Sequence, residues 1–198
     1  MHHSLSTAEL ELVCNAEILL AKNRVIEKVY QMFGALCEDY KMRTDAFYLP
    51  FEVVNNSKIS RGENYNGLPY VMLDYPRQFS KTDVFAIRTF FWWGHFFSLT
   101  LQLQGVYQTR FAGAVQNAIN QGLLDEWFIT LSDEKWQHHF DNNYYEPVKK
   151  EKNYNLTELA FIKVVTKIPL NKWDDAYEYL LNNFTQIMKV LFNQAPMR

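Results

Sequence analysis

The stretch TFFWWGHFF, residues 89–97, places aromatic rings on both sides of a Gly-His pair, and the fold turns on how the chain reverses there. Residues 84–93 and 96–104 are rich in β-branched and aromatic side chains, the composition of strands. Gly94-His95 can close them as a two-residue hairpin turn with Gly first. That turn predicts a register in which Trp92 faces Phe97, Phe90 faces Leu99, Arg88 faces Leu101 and Ala86 faces Leu103. One face is then almost wholly apolar, and most of the rings are core. The other face carries Phe85, Ile87, Thr89 and Phe91 against Ser98, Thr100, Gln102 and Gln104, a mixed surface suited to a covering helix or to partial solvent. A three-residue loop would shift every pair by one.

Working outward, Ser6 followed by Glu9 is a capping-box signature. Leu10, Val13, Cys14, Ile18 and Ala21, then Val25, Val29, Met32, Phe33 and Leu36, recur at helical spacing. This predicts one long helix or two consecutive ones, with the weakest point at Lys22-Asn23. YLPFEVVNNSK reads as a short strand and turn. Residues 60–69, SRGENYNGLP, hold two glycines, two asparagines and a proline and read as a loop. YVMLDYP reads as a strand stopped by Pro76. After Gly105 the pattern Tyr107, Phe111, Ala114, Val115, Ala118 and Ile119 predicts an amphipathic helix ended by Gly122.

EWFITLS reads as a further strand. Ser132 can cap a short helix through Phe140, and residues 141–155 form a polar loop. ELAFIKVVTKI alternates, with Ala160, Ile162, Val164 and Ile168 inward and Lys163 and Lys167 outward. Asn171 caps a last helix whose apolar stripe runs from Trp173 through Tyr177, Leu180, Leu181, Phe184, Ile187 and Met188 to Leu191. The order of elements predicts a single α+β domain over residues 1–198. Its mainly antiparallel sheet of five to six strands is packed by a long N-terminal helix or helix pair, a central helix and a C-terminal helix.

A chain of 198 residues, 48% hydrophobic and 21% charged, can fill one core. A net charge of -2 gives no electrostatic reason to expect a nucleic-acid partner, whose binding rests largely on Lys and Arg neutralising phosphates. The most apolar run, residues 84–103, contains Arg88, His95, Ser98, Thr100 and Gln102, so no membrane span is expected. Cys14 and Cys37 stand too far apart on one helical segment to bridge, and no basic-then-apolar leader is visible. Both point to a cytoplasmic protein.

No phosphate-binding glycine loop, nucleophile elbow, HExxH or paired CxxC is present. His138-His139 would point about 100° apart on a helix and so cannot chelate one ion; a surface helix is the simpler reading, and no metal or cofactor is expected. Arg88 is the informative residue. A guanidinium directed into an apolar face needs an anion, and Asp74 and Glu63 are the nearest carboxylates by order of elements. Either an internal salt bridge satisfies it, or Arg88, with Arg61, Arg77 or Lys81, recognises a carboxylate or phosphate on a ligand. Residues 60–69 add Arg61, Glu63, Asn64 and Tyr65 as donors, acceptors and a ring, with Trp92 as wall and His95 at the hairpin tip.

The run SRGENYNGLPYVMLDYPRQFSKTDVFAIRTFFWWGHFFSL resembles, as a whole, conserved bacterial proteins with no established activity. The resemblance implies a bacterial cytoplasmic protein and brings no catalytic residues. The leading expectation is non-catalytic binding of a small anionic or amphipathic ligand in an aromatic-walled pocket beside the sheet, at Arg61, Glu63, Asn64, Tyr65, Asp74, Arg77, Arg88, Trp92 and His95. The alternative is a module that binds a second copy or another protein through exposed Trp92, Trp93 and Phe96. An enzyme of unfamiliar mechanism comes third, with no catalytic residue assigned.

Overall fold

The computed structural model describes residues 3–47, 49, 57–130, 132–140 and 144–192. Ser6 opens α1 (Thr7–Cys14) through the expected capping box with Glu9. The helix does not break at Lys22-Asn23. It breaks at Asn15, whose side chain accepts from the Glu17 amide at 3.1 Å and so starts α2 (Ala16–Thr44); an Asn cap satisfies one of the orphan amides of a new helix.

Among the described residues seven strands form one antiparallel sheet, more than the five to six expected. They are β1 (Lys58–Tyr65), β2 (Leu68–Phe79), β3 (Val84–Trp92), β4 (Phe96–Gln104), β5 (Phe128–Thr130), β6 (Tyr145–Pro147) and β7 (Ile162–Pro169), in the order β1-β2-β3-β4-β7-β5-β6. Residues 60–69 are not a loop. They are most of β1, a two-residue turn at Asn66 and Gly67, both at positive φ (49° and 82°), and the start of β2. Asn-Gly is the residue pair such a hairpin turn requires. Pro76 does not stop β2, because its missing N–H falls at the register shift between Asp74 and Arg77, where the ladder is already interrupted. The polar loop expected over residues 141–155 contains β6. The strand expected in YLPFEVVNNSK falls largely on residues 48 and 50–56, outside the described residues.

The β3–β4 register is corrected by one residue. Three residues, Trp93, Gly94 and His95, separate the paired Trp92 and Phe96, so Phe90 opposes Ser98, Arg88 opposes Thr100 and Ala86 opposes Gln102. Gly94 takes φ 76°, the left-handed conformation that glycine adopts freely. Phe85, Ile87, Thr89 and Phe91 therefore share a face with Phe97, Leu99, Leu101 and Leu103, and this face is the core.

α2, α3 (Val106–Asn120) and α4 (Ala176–Phe192) cover that face. Phe33 of α2 meets Phe97 with ring centroids 6.3 Å apart, and Tyr40 stacks on Phe184 of α4 at 3.8 Å while hydrogen-bonding Thr89 at 3.0 Å. α3 ends as expected: Gly122, at φ 74°, donates to Ile119 and Leu123 donates to Ala118, which satisfies the last carbonyls. α4 keeps the predicted stripe, but Asn171 is not its cap; a 3-10 turn over Leu170–Asp175 precedes it. No helix among the described residues is long and apolar enough to cross a membrane.

Phe97, fully buried at the centre of this layer, should lose about 3–5 kcal/mol on truncation to Ala. Exposed Leu10 should change by less than about 0.5 kcal/mol. Urea unfolding of the two variants checks the assignment of core and periphery.

Candidate functional site

The opposite face of the sheet is also closed. Ala86, Arg88, Phe90 and Trp92 of β3 share it with Phe96, Ser98, Thr100 and Gln102 of β4 and with Lys163, Val165 and Lys167 of β7. Across it lies the β5–β6 connection, of which residues 132–140 and 144 are described. These residues do not form the helix expected to start at Ser132. Phe140 packs edge-on against Phe96 and Phe128, at 5.3 and 5.0 Å, and His138 lies 5.2 Å from Phe90. His138 and His139, read from the sequence as a surface pair, are each only 8% exposed. Sequence alternation also misplaces Lys163: it points away from the helical layer, as expected, but into this second interior, and is fully buried.

Arg88 and Asp74 form a buried fork, with Nε donating to Oδ1 at 2.6 Å and Nη2 to Oδ2 at 3.0 Å. This is the internal salt bridge weighed from the sequence, reached through the neighbouring strand in direct register. Arg88 Nη1 also contacts His138 Nε2 at 3.2 Å. A guanidinium only donates, so Nε2 accepts and the imidazole proton sits on Nδ1. Burial, with the charges of Lys163 and Arg88 close by, holds the His138 pKa well below its usual value, which agrees with a neutral ring. The Tyr65 hydroxyl accepts from the His138 amide at 2.6 Å and lies 2.9 Å from His139 Nδ1.

Lys163 donates to the carbonyls of Lys135, at 3.1 Å, and of Gln137. Tyr145 donates to the same Gln137 carbonyl at 2.9 Å, and burial pushes its phenol pKa upward. Burial drives the Lys163 pKa down to about 7, with the Arg88 charge adding to the effect. Gln102, paired in register with Lys163 and Ala86, is buried, and its Nε2 has no hydrogen-bond partner among the described residues. Lys167 extends the positive side of the cluster, its Nζ 3.9 Å from the Phe140 ring centre.

Of the residues singled out in the sequence, the structure gathers Tyr65, Asp74, Arg88 and Trp92 here, Trp92 donating to the Tyr65 carbonyl at 3.1 Å. Arg77, opposite Ala86, is half-buried on the same face. His95 is exposed and stacks on Trp92 at 3.6 Å. Arg61, Glu63 and Asn64 are exposed and lie apart: Arg61 sits over Tyr30 of α2, Glu63 pairs with Lys22, and Asn64 accepts from the Gly67 amide. Trp92 and Phe96 are buried and Trp93 is half-buried, so they do not present the exposed aromatic surface expected of a docking face. Among the described residues no group of His, Cys, Asp and Glu could hold a metal ion. No protein-family model matches the chain, and neither curated proteins nor solved structures yield a match.

Two consequences are measurable. Asp74→Asn leaves a buried guanidinium without its carboxylate and should cost about 3–5 kcal/mol, whereas Arg88→Met with Asp74→Leu should recover most of the loss; chemical unfolding of the single and double variants distinguishes them. For Lys163 the folded-state pKa lies below the unfolded one, so the unfolded chain holds more protons between pH 7 and about 10 and stability rises with pH across that window. The wild type should gain on the order of a few kcal/mol there relative to Lys163→Met. An equal pH profile for the two would show that the amine is not desolvated.

Proposed function

We propose that the protein binds a small anion, a carboxylate or phosphate group with an apolar body, between the second face of the sheet and the β5–β6 connection. One observation carries the reading. Among the described residues, Arg88, Lys163 and Lys167 occupy one covered face with a single paired carboxylate, Asp74, while Gln102 Nε2 on that face remains without an acceptor. Positive groups in excess of negative ones on a covered face, Arg88 and Lys163 buried and Lys167 half-buried, favour an incoming anion. Tyr145, whose ring centre lies 5.6 Å from the Lys163 ammonium, would wall its apolar part, as aromatic side chains do in ligand sites.

The anion would lie between Lys163 and Gln102, replacing the Lys135 and Gln137 carbonyls as partner of the ammonium. This differs from the sequence-based site in its centre. Arg88 is held by Asp74 and sets the field, and Lys163 and Gln102 make the contact.

Thermal unfolding with phosphate, acetate and medium-chain fatty acid, against chloride at equal ionic strength, tests the proposal. A ligand at about 100 times its Kd should raise the wild-type midpoint by roughly 5 °C or more. The rise should be larger at pH 6.5 than at pH 8.5, because an anion favours the charged amine of a lysine whose pKa lies near 7. Lys163→Met and Gln102→Leu should each reduce it. No shift with any of these anions, or an equal shift in Lys163→Met, would refute it.

A further inference from the structure

The N-terminal end of the helical layer carries apolar surface that the sheet leaves uncovered. α1 buries no side chain, and the first buried residue of α2 is Ile26. Leu10, Leu12, Val13, Ile18, Leu19 and Leu20 are each between 45% and 68% exposed. A single exposed leucine is ordinary, but six large aliphatic residues within residues 10–20 amount to a patch of the kind that marks interaction surfaces.

The patch continues a seam. Ile26, Val29, Phe33, Leu36 and Tyr40, the buried stripe of α2, follow one another at spacings of three and four. The same spacing runs back through Lys22 to Leu19, which is 62% exposed. That periodicity is what one helix presents to another.

Charge decides the partner. Residues 7–20 contain Glu9, Glu11 and Glu17 and no basic residue, whereas residues 21–28 contain Lys22, Arg24 and Lys28 against Glu27 alone. Lys22 is engaged by Glu63 within the chain, but Arg24 has only a loose contact with Glu17 at 3.8 Å. Two copies laid antiparallel bring the acidic half of each beside the basic half of the other, the self-complementarity that a two-fold interface requires. A parallel pair would set like on like. An anionic lipid surface is disfavoured, because the leucine-rich half carries only acids.

We propose that the protein self-associates through residues 7–28, two arms pairing antiparallel about a two-fold axis. Sedimentation velocity on the full chain, from low micromolar to submillimolar concentration, should show a reversible monomer–dimer equilibrium. Leu10→Glu combined with Leu19→Glu should weaken it by tenfold or more, while the thermal midpoint at concentrations where both proteins are monomeric stays unchanged, since both side chains are exposed in the monomer. Arg24→Glu with Lys28→Glu should also weaken homodimers, and mixing that variant with Glu9→Lys/Glu11→Lys should restore association. A wild type monomeric throughout, or dimers indifferent to Leu10→Glu/Leu19→Glu, would overturn the proposal. So would a monomer that co-sediments with anionic phospholipid vesicles, which would assign the patch to a membrane surface. None of these outcomes depends on the anion site.

Discussion

The three residues Trp93, Gly94 and His95 determine which side chains of β3 and β4 meet the helices. Side chains alternate along a strand, so a change of one residue in this turn would exchange the faces of one strand relative to the other. In the observed register every apolar set joins another: Phe85, Ile87 and Phe91 lie with Phe97, Leu99, Leu101 and Leu103 beneath α2, α3 and α4. Arg88 then shares its face with Ser98, Thr100, Gln102 and Lys163. A two-residue turn would have set Arg88 against Leu101 and divided both groups. Apolar burial at about 25 cal/mol per Å² rewards the first arrangement, and the desolvation of Ser98, Thr100 and Gln102 among the rings of Phe85 and Phe91 would oppose the second.

Collecting the polar groups on one face creates its own constraint, because that face is closed as well. Each buried charge is answered differently. Arg88 is forked by Asp74, His138 is held neutral, and Lys163 reaches two carbonyls of the β5–β6 connection. The connection is therefore fastened by the amine that it shields from water. It has no ladder of backbone hydrogen bonds over residues 132–140, so these residues are held to the sheet through side chains: Lys163 and Tyr145 at the Gln137 carbonyl, Arg88 and Tyr65 at His138, and Phe96 at Phe140.

Much of this was legible in the sequence. The apolar periodicity of α2, α3 and α4, the Ser6 cap and the Gly122 stop are local signals, and the structure keeps them. Asp74 is one of the two carboxylates, with Glu63, that the order of elements offers Arg88, but the premise that aimed the guanidinium into an apolar face was the two-residue turn, which the three residues 93–95 remove. The Asn66-Gly67 turn was also readable, since Asn-Gly between alternating residues signals a hairpin, but it was hidden among the other glycines and asparagines of residues 60–69. The β3–β4 register was not legible, because two- and three-residue turns both fit TFFWWGHFF. Lys163, His138 and His139 were missed for a different reason. Alternation reveals that Lys163 faces away from the helices, yet whether that side is water depends on the β5–β6 connection folding across it, and no local pattern encodes that.

The second face contains more charge than stability requires. Buried ion pairs can often be replaced by well-packed apolar side chains with no loss, and sometimes with gain. Lys163 is costlier than a pair, because its ammonium meets carbonyl dipoles, the Tyr145 ring at 5.6 Å and the repulsion of Arg88 but no carboxylate among the described residues, and its pKa is depressed accordingly. A methionine would fill the same volume between Tyr145 and the sheet without desolvating a charge. Gln102 adds a second group that packing alone does not explain, since a buried amide nitrogen without an acceptor among the described residues opposes folding. Both groups lie side by side on paired strands, and both become favourable together if an acceptor with negative charge sits between them. The cost to stability and the proposed anion binding thus have a single origin in the positive, covered face that the β3–β4 turn creates.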